Sequence, residues 1–274
     1  MIPRSNLHTH STFCDGKNTP EEMVQAAISL GMDSLGFSGH AELPFEDCDS
    51  WCMVGDRLRD YRKTVLSLKK KYADCIEVAL GIEQDYFSPA LSDSYDYVIG
   101  SVHYVCPHGY AMATDINPEV FCRELTEYYG GDALRLAKDY FELVANVVKK
   151  TNCDIVGHFD LLTKFNESCA YLDEDSSAYQ TLALEALDAV LEDNPLIELN
   201  TGAMARGRRK VPYPAPFLCK RIAEKKGRMI FNADAHMAEK LLYGFEDAIE
   251  YARFCGAREL WYYKDGIFQA DLIV

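Results

Sequence analysis

Six histidines (His8, His10, His40, His103, His158 and His236) and two carboxylates (Glu83 and Asp234) stand out for their spacing in the sequence. The chain has 7 His in all, and His108 is left out of the group because it falls within a loop segment. His8-Thr9-His10 on a strand end would place two imidazoles on the same side, an arrangement that suits one metal ion. Asp234-Ala235-His236 repeats the spacing with mixed donors. Nitrogen and oxygen donors without paired thiolates point to Zn, Mn or Fe at an open catalytic site rather than a closed thiolate zinc. Cys48 and Cys52 have no second Cys or His pair nearby and are read as structural or incidental. A buried cluster of imidazoles and carboxylates has no structural purpose without cations, because its carboxylates would repel and their desolvation would go uncompensated. Two adjacent cations lower the pKa of a bridging water toward ~7 and bind phosphoryl oxygens, so the implied chemistry is metal-dependent hydrolysis of a phosphate ester by a bridging hydroxide.

These side chains meet only if the segments that end at them converge. Short apolar runs of strand length precede them at residues 2–7, 34–38, 76–82, 95–102, 153–157, 196–199 and 228–231. Helical spacing fills the intervals. Thr19-Pro20-Glu21-Glu22 opens a helix as a capping box with Pro in the first position, and Gly31 closes it. Further helices are expected over 56–72, 118–150 with a break near Gly130-Gly131, 176–192, 215–226 and 236–254. Near-continuous apolar strands separated by helices form a parallel sheet covered on its faces. Seven such strands without a Gly-rich dinucleotide fingerprint favour an α/β barrel. In that fold the C-terminal strand ends share one face, where these histidines and carboxylates would gather. The uncovered segments 41–55 and 104–118 are expected to be active-site loops.

Composition narrows the partners. The chain has 274 residues, 48% of them apolar and 26% charged, so it reads as one globular domain spanning 1–274. Its net charge of -15 opposes nucleic-acid binding. No apolar run approaches a membrane span, and residues 1–6 lack the apolar core of a secretory signal. With 10 Cys and no such signal, reduced thiols and a cytoplasmic location are expected.

His8-Thr9-His10, Asp15-Gly16, Gly39-His40, Gly81-Ile82-Glu83, Gly100-Ser101-Val102-His103, Gly157-His158, Glu198-Leu199-Asn200-Thr201 and Asn232-Ala233-Asp234-Ala235-His236 together resemble the PHP family, named for polymerase and histidinol phosphatase domains. Gly100–Tyr104 and Gly157–Asp160 are most similar to its monofunctional histidinol-phosphate phosphatase branch. The resemblance implies a distorted (β/α)7 barrel with two to three divalent metal ions at the C-terminal ends of its strands. It implies that His8, His10, Glu83 and Asp234 hold the first metal. Glu83 would bridge to a second, completed by His103 and His158, and Asp15, His40 and His236 would hold a third. Glu83, Asp234 and His236 are the expected catalytic core, and L-histidinol phosphate the implied substrate. Another small phosphate ester, or a noncatalytic metal-binding role, would share the same ligands.

An acidic chain that binds a phosphate ester needs positive groups beyond its metals. Ala205-Arg206-Gly207-Arg208-Arg209-Lys210 follows the sixth strand, and Arg206, nearest to it, is the first candidate for phosphate contact. Lys164 is a second. The amine and imidazole of histidinol phosphate would meet carboxylates, for which the resemblance suggests Asp160 and Asp115. Trp51 is placed to cover the pocket. No GxSxG or P-loop motif suggests a phospho-enzyme.

Overall fold

A computed structural model describes residues 2–45 and 48–273, so positions 46 and 47 of the predicted loop 41–55 lie outside it. In chain order the elements are β1 (Ser5–Asn6), α1 (Pro20–Ser29), β2 (Ser34–Phe37), α2 (Asp56–Lys71), β3 (Glu77–Asp85), β4 (Tyr97–Ser101), β5 (Tyr104–Val105) and β6 (Met112–Ala113). Then come α3 (Pro118–Tyr129), α4 (Ala133–Val144), α5 (Val147–Thr151), β7 (Ile155–Val156), α6 (Asn166–Cys169), α7 (Ser177–Glu192), β8 (Leu196–Asn200) and α8 (Gly202–Ala205). The chain ends with α9 (Pro216–Glu224), β9 (Arg228–Asn232), α10 (Phe245–Phe254), β10 (Glu259–Lys264) and β11 (Ile267–Leu272).

Local chemistry sets the helix limits. Thr19 accepts from the Glu22 N–H while the Glu22 carboxylate takes the Thr19 N–H, the reciprocal cap expected for α1. Asn117 caps α3, Gly130 ends it in the left-handed region, and Asp132 starts α4 by accepting from the N–H groups of Leu134 and Arg135. On α7 the buried residues Tyr179, Ala183, Ala186, Leu187 and Val190 recur at three- and four-residue intervals, so one face packs inward.

Seven strands run parallel in the order β1-β2-β3-β4-β7-β8-β9, and β10 and β11 extend the same sheet to nine strands. β10 pairs parallel to β9 through Trp261 and Ile230, and β11 returns antiparallel. The sheet curls on itself. Beyond β1, Thr9 bridges Ala235 in parallel register, with the His10 N–H donating to Ala235 O at 2.9 Å and the Ala235 N–H to His8 O at 3.0 Å. At the opposite end β10 lies beside β1, where the Tyr263 N–H donates to Ser5 Oγ at 3.4 Å, and Ser34 Oγ of β2 donates to Tyr263 O at 2.8 Å. The first and seventh parallel strands therefore meet only at their C-terminal ends, and a distorted barrel results.

Three segments depart from the reading of the sequence. The predicted helix 236–254 is a single 3-10 turn, Ala238–Lys240, followed by α10 after Gly244 at φ 69°. The β10–β11 hairpin was unforeseen, although Asp265-Gly266, with φ of 55° and 77°, is a strong two-residue hairpin signal. Loop 104–118 also carries the small β5–β6 hairpin.

One apolar cluster packs the helices onto the sheet, and a smaller one built on Leu7, Ala79, Tyr97, Ile99, Ile155, Leu196, Ile230 and Tyr263 fills the curl. Tyr97 is its centre. Its hydroxyl donates to the carbonyls of Leu7 and Phe37, tying β4 across to the segments of β1 and β2. The ring fits because Gly81 presents no side chain: a Cβ there would stand 2.2 Å from Tyr97 Cζ. Gly81→Ala should therefore overpack the interior and lower stability by ~1–3 kcal/mol. Urea unfolding measures this, and a midpoint equal to wild type would remove Tyr97 as the interior's packing constraint.

Candidate metal centre

Glu83, at the end of β3, is buried, and its two carboxylate oxygens face different imidazoles. Oε2 lies 2.9 Å from His40 Nδ1, 3.2 Å from His8 Nε2 and 3.6 Å from His10 Nε2. Oε1 lies 3.1 Å from His158 Nε2 and 3.4 Å from His103 Nε2, and accepts from Ser101 Oγ at 2.7 Å. Each imidazole comes from a different strand end except His8 and His10, which the alternation beyond β1 turns to the same side. His40 is held against Glu83 by a parallel bridge, with the Ala41 N–H donating to Glu83 O at 2.9 Å.

Asp234 follows β9 in a left-handed conformation, φ 47°, with Oδ1 3.3 Å from His10 Nε2 and 3.8 Å from His8 Nε2. Its Oδ2 accepts from Arg206 Nη2 at 2.8 Å. Gly202 permits that contact, because a Cβ there would sit 2.7 Å from Asp234 Oδ2. Asp15 lies 3.0 Å from His236 Nε2 and 3.6 Å from both His40 Nε2 and His10 Nδ1.

All nine residues converge on one site. Their donor atoms form four overlapping groups: His8, His10 and Asp234; His8, Glu83 and His158; His40, Glu83 and His103; and His10, Asp15, His40 and His236. His10 and His40 each reach two groups, one through each ring nitrogen, a sharing that the sequence did not indicate.

The donor set fits divalent cations. His8 Nε2, His10 Nε2, Glu83 Oε2 and Asp15 Oδ1 are buried without hydrogen-bond partners, though they face one another at short range. Burial pushes the Glu83 carboxyl up, but His8, His40 and His103 override it and hold it well below the usual carboxylate range. Burial also disfavours charge on His8, yet Glu198, Glu83 and Asp234 raise its pKa well above the ordinary value. For His10, burial together with His236 and His40 lowers the pKa to about 3, so this imidazole stays neutral and keeps a lone pair. The site attracts positive charge, and His10 offers a neutral nitrogen donor to bind it.

Beneath the donors lies a supporting layer whose role the motif Glu198–Thr201 does not reveal. Glu198, in the middle of β8, accepts from His8 Nδ1 at 2.7 Å, the His158 N–H at 2.8 Å, Asn200 Nδ2 at 2.8 Å and Asn232 Nδ2 at 2.9 Å. Asp85 accepts from the His103 backbone N–H at 2.8 Å and lies 3.1 Å from His103 Nδ1. A charged residue inside the apolar run 196–199 was the available signal. Because Glu198 fixes Nδ1 of His8 as the donor, Nε2 faces the donor cluster. Glu198→Gln should lower metal affinity about 10- to 100-fold. Chelator competition followed by elemental analysis measures the change, and unaltered retention would make Glu198 a packing residue only.

A cavity of about 530 Å³ opens above this cluster, and Asp15, His40, Glu83, His103, His158, Asp234 and His236 lie along it. Arg206, Lys164 and Asp115 line its walls. Lys164 Nζ donates to Asp115 Oδ2 at 2.9 Å and to Asp115 O at 3.1 Å. Burial raises the Asp115 carboxyl, but Lys164 and His103 hold it down at about 2. Trp51 stands edge-on to His40 with ring centroids 4.8 Å apart. Tyr104, from the stretch Gly100–Tyr104, and Lys17, Ile116, Leu161, Met237 and Lys240, none of these five singled out from sequence, complete much of the lining.

Asp160 does not line the cavity, contrary to expectation. It is buried beneath the wall, where Oδ2 accepts from the Ala215 N–H at 2.9 Å and fixes the entry to α9. Burial pushes its carboxyl up to about 6 against the opposing pull of Arg209 and that N–H. The basic cluster also divides. Arg209 is buried against Thr163, and Arg208 lies 5.7 Å over the Phe165 ring, so only Arg206 among them lines the cavity.

The PHP domain matches residues 6–202. A Deinococcus radiodurans protein named "Probable histidinol-phosphatase" is 31% identical over 268 residues, covering 94% of this chain and 96% of its own. The Bacillus subtilis histidinol-phosphatase is 25% identical over 267 residues, covering 89% and 97%. Among solved structures, the Lactococcus lactis histidinol phosphate phosphatase complexed with zinc, L-histidinol and phosphate superposes with a TM-score of 0.75 at 19% identity, covering 98% of this chain and 100% of that one. With residues 6–202 matched by the PHP domain and nearly its full length matched by a relative at 31% identity, the chain belongs to the PHP domain family.

Proposed function

We propose that this protein hydrolyses L-histidinol phosphate to L-histidinol and phosphate, acting as a metal-dependent phosphoric monoester hydrolase. The observation that carries the reading is Glu83, whose two oxygens serve two sets of imidazoles at the floor of a cavity of substrate size. Relatives named histidinol-phosphatase over nearly the full length of this chain support the substrate. The zinc, L-histidinol and phosphate in the Lactococcus lactis protein support zinc as the first of the three candidate metals, Zn, Mn and Fe.

His8, His10, Glu83 and Asp234 would hold one ion, Glu83, His103 and His158 a second, and Asp15, His40 and His236 a third, with His10 and His40 placed to contribute on both sides. Divalent ions bound there supply Lewis acidity toward phosphoryl oxygens and activate water at neutral pH. The chain's own residues do the rest. Arg206 offers a guanidinium to the phosphoryl oxygens from the β9 side, and Asp234 fixes its orientation. Lys164 and Asp115 form an ion pair on the opposite wall, where Asp115 can accept from the amine or imidazole of the substrate. Trp51 and Tyr104, with rings 6.4 Å apart and 14° from parallel, cover the mouth and limit water. We read 1–274 as one catalytic unit acting in the cytoplasm on a small molecule. Its charge of -15 opposes nucleic acid, and no helix among the described residues is long and apolar enough to cross a membrane.

A panel of phosphate esters that includes L-histidinol phosphate, run with elemental analysis, tests the reading. Two to three transition-metal ions per chain and highest kcat/KM on histidinol phosphate are expected. Preference for a nucleotide or sugar phosphate would move the protein to another phosphoesterase specificity, and no turnover of any ester would make it a metal-binding module. Glu83→Gln keeps the side-chain size but removes the shared charge, so metal content and turnover should fall together, turnover by orders of magnitude. Normal turnover with full metal content would show that Glu83 is not shared. Arg206→Ala should weaken inhibition by inorganic phosphate about 10- to 150-fold, the value of a lost charge-assisted hydrogen bond, with partial recovery in Arg206→Lys. Unchanged inhibition would move the phosphate contact to another cation of the wall.

A further inference from the structure

Four cationic side chains line the cavity: Lys17, Lys164, Arg206 and Lys240. Two are neutralised where they stand, Lys164 by Asp115 at 2.9 Å and Arg206 by Asp234 at 2.8 Å. Lys17 and Lys240 form no ion pair among the described residues. Lys17 is exposed just after Asp15-Gly16, and its backbone N–H donates to His236 O at 2.8 Å. Lys240 closes the 3-10 turn after His236 and rests its ammonium 4.9 Å over the Tyr243 ring. Both therefore stand on the β1–β9 side of the mouth, the side that also carries Arg206.

The remaining wall is different in character. On the β4–β7 side the lining is Tyr104, Asp115, Ile116 and Leu161, apolar apart from one carboxylate and its partner lysine. A phosphate monoester approaching a chain of net charge -15 is repelled by the protein as a whole. Divalent ions held at the floor would attract it at close range, but at the mouth, where Lys164 and Arg206 are already paired, Lys17 and Lys240 are the lining lysines left to oppose that field.

We propose that Lys17 and Lys240 form an anion guide that draws the phosphate to the β1–β9 side of the mouth and so leaves the tail of the substrate toward Asp115 on the opposite wall. This rests on the phosphatase reading above and adds an entry side and an orientation to it. The guide acts on the phosphate alone, so its contribution is the same for any monoester tail. An exposed cation acting through solvent is screened by salt, so its contribution fades as ionic strength rises past ~0.1 M.

Lys17→Gln, Lys240→Gln and the double variant test this, with Lys63→Gln on α2, outside the cavity lining, as a control. Each single change should lower kcat/KM and weaken inorganic phosphate binding roughly fivefold at low salt, with near-additive loss in the double variant. Both differences should shrink toward unity at about 0.5 M salt, while metal content stays at wild-type level. The loss should be equal for histidinol phosphate and for a neutral-tailed ester. Calorimetry with inorganic phosphate reads the guide without any substrate, so failure of histidinol phosphate as substrate leaves this result standing. Phosphate binding and salt dependence unchanged in the double variant overturn the proposal, as does a loss confined to one ester.

Discussion

The governing constraint is the burial of negative charge at one end of a parallel sheet. Glu83, Asp234 and Glu198 are all buried, within reach of six imidazoles. Carboxylates taken out of water at this density are tolerated only if positive charge is supplied, because each isolated ion costs several kcal/mol to desolvate. Cations compensate in part: the imidazoles hold Glu83, and Arg206 together with the imidazoles holds Asp234, well below the usual carboxylate range although burial pushes both up. The surplus of unpartnered donor atoms is what makes the site a cation receptor rather than a stabilising network.

The barrel serves this constraint directly. Parallel strands deliver one or two donors each from their C-terminal ends, but two strands at the extremes of an open sheet would leave their donors far apart. The Thr9–Ala235 bridge removes that problem by joining the ends of β1 and β9, so that His8 and His10 meet Asp234 and His236. Glu198 then locks the arrangement from beneath, since one carboxylate takes hydrogen bonds from His8, His158, Asn200 and Asn232 and so ties four segments together. Interior packing supports the same geometry, with Tyr97 holding the carbonyls of Leu7 and Phe37 just below His8 and His40.

Most of this was legible in the sequence because strand ends are local. The apolar runs marked the seven parallel strands, and the histidine positions relative to them marked the site. What escaped needed information that periodicity does not carry. β10 and β11 follow a helix rather than a ligand, and Asp265-Gly266 was their only strong punctuation. The double use of His10 and His40 depends on ring orientation, which residue spacing cannot specify. Glu198 looked like part of a motif, yet its work is done by hydrogen bonds to residues up to 190 positions away. Asp160 shows the opposite error. Its place two residues past His158 suggested a pocket wall, but after β7 the chain turns into a 3-10 helix, Leu161–Thr163, and the carboxylate points down to the start of α9.

Floor and walls divide the work between rigid and adaptable structure. Apart from Asp15, which lies in the loop between β1 and α1, the floor donors sit on strand ends or within a few residues of them, and Glu198 and Asp85 orient His8 and His103 by buried hydrogen bonds. The walls come instead from loops: Trp51 from the segment before α2, Asp115 from the turn after β6, Lys164 from the turn after β7, Arg206 from the end of α8. Loops accept substitution and length change at small cost to the core, so tail recognition can vary while the charge-dense floor stays fixed. The Arg206–Asp234 contact is where the two layers touch: a wall residue stabilises a floor carboxylate and faces the cavity with the same guanidinium. A change of substrate tail therefore has room in loops 41–55 and 104–118, whereas a change at Arg206 disturbs the wall and the metal floor together.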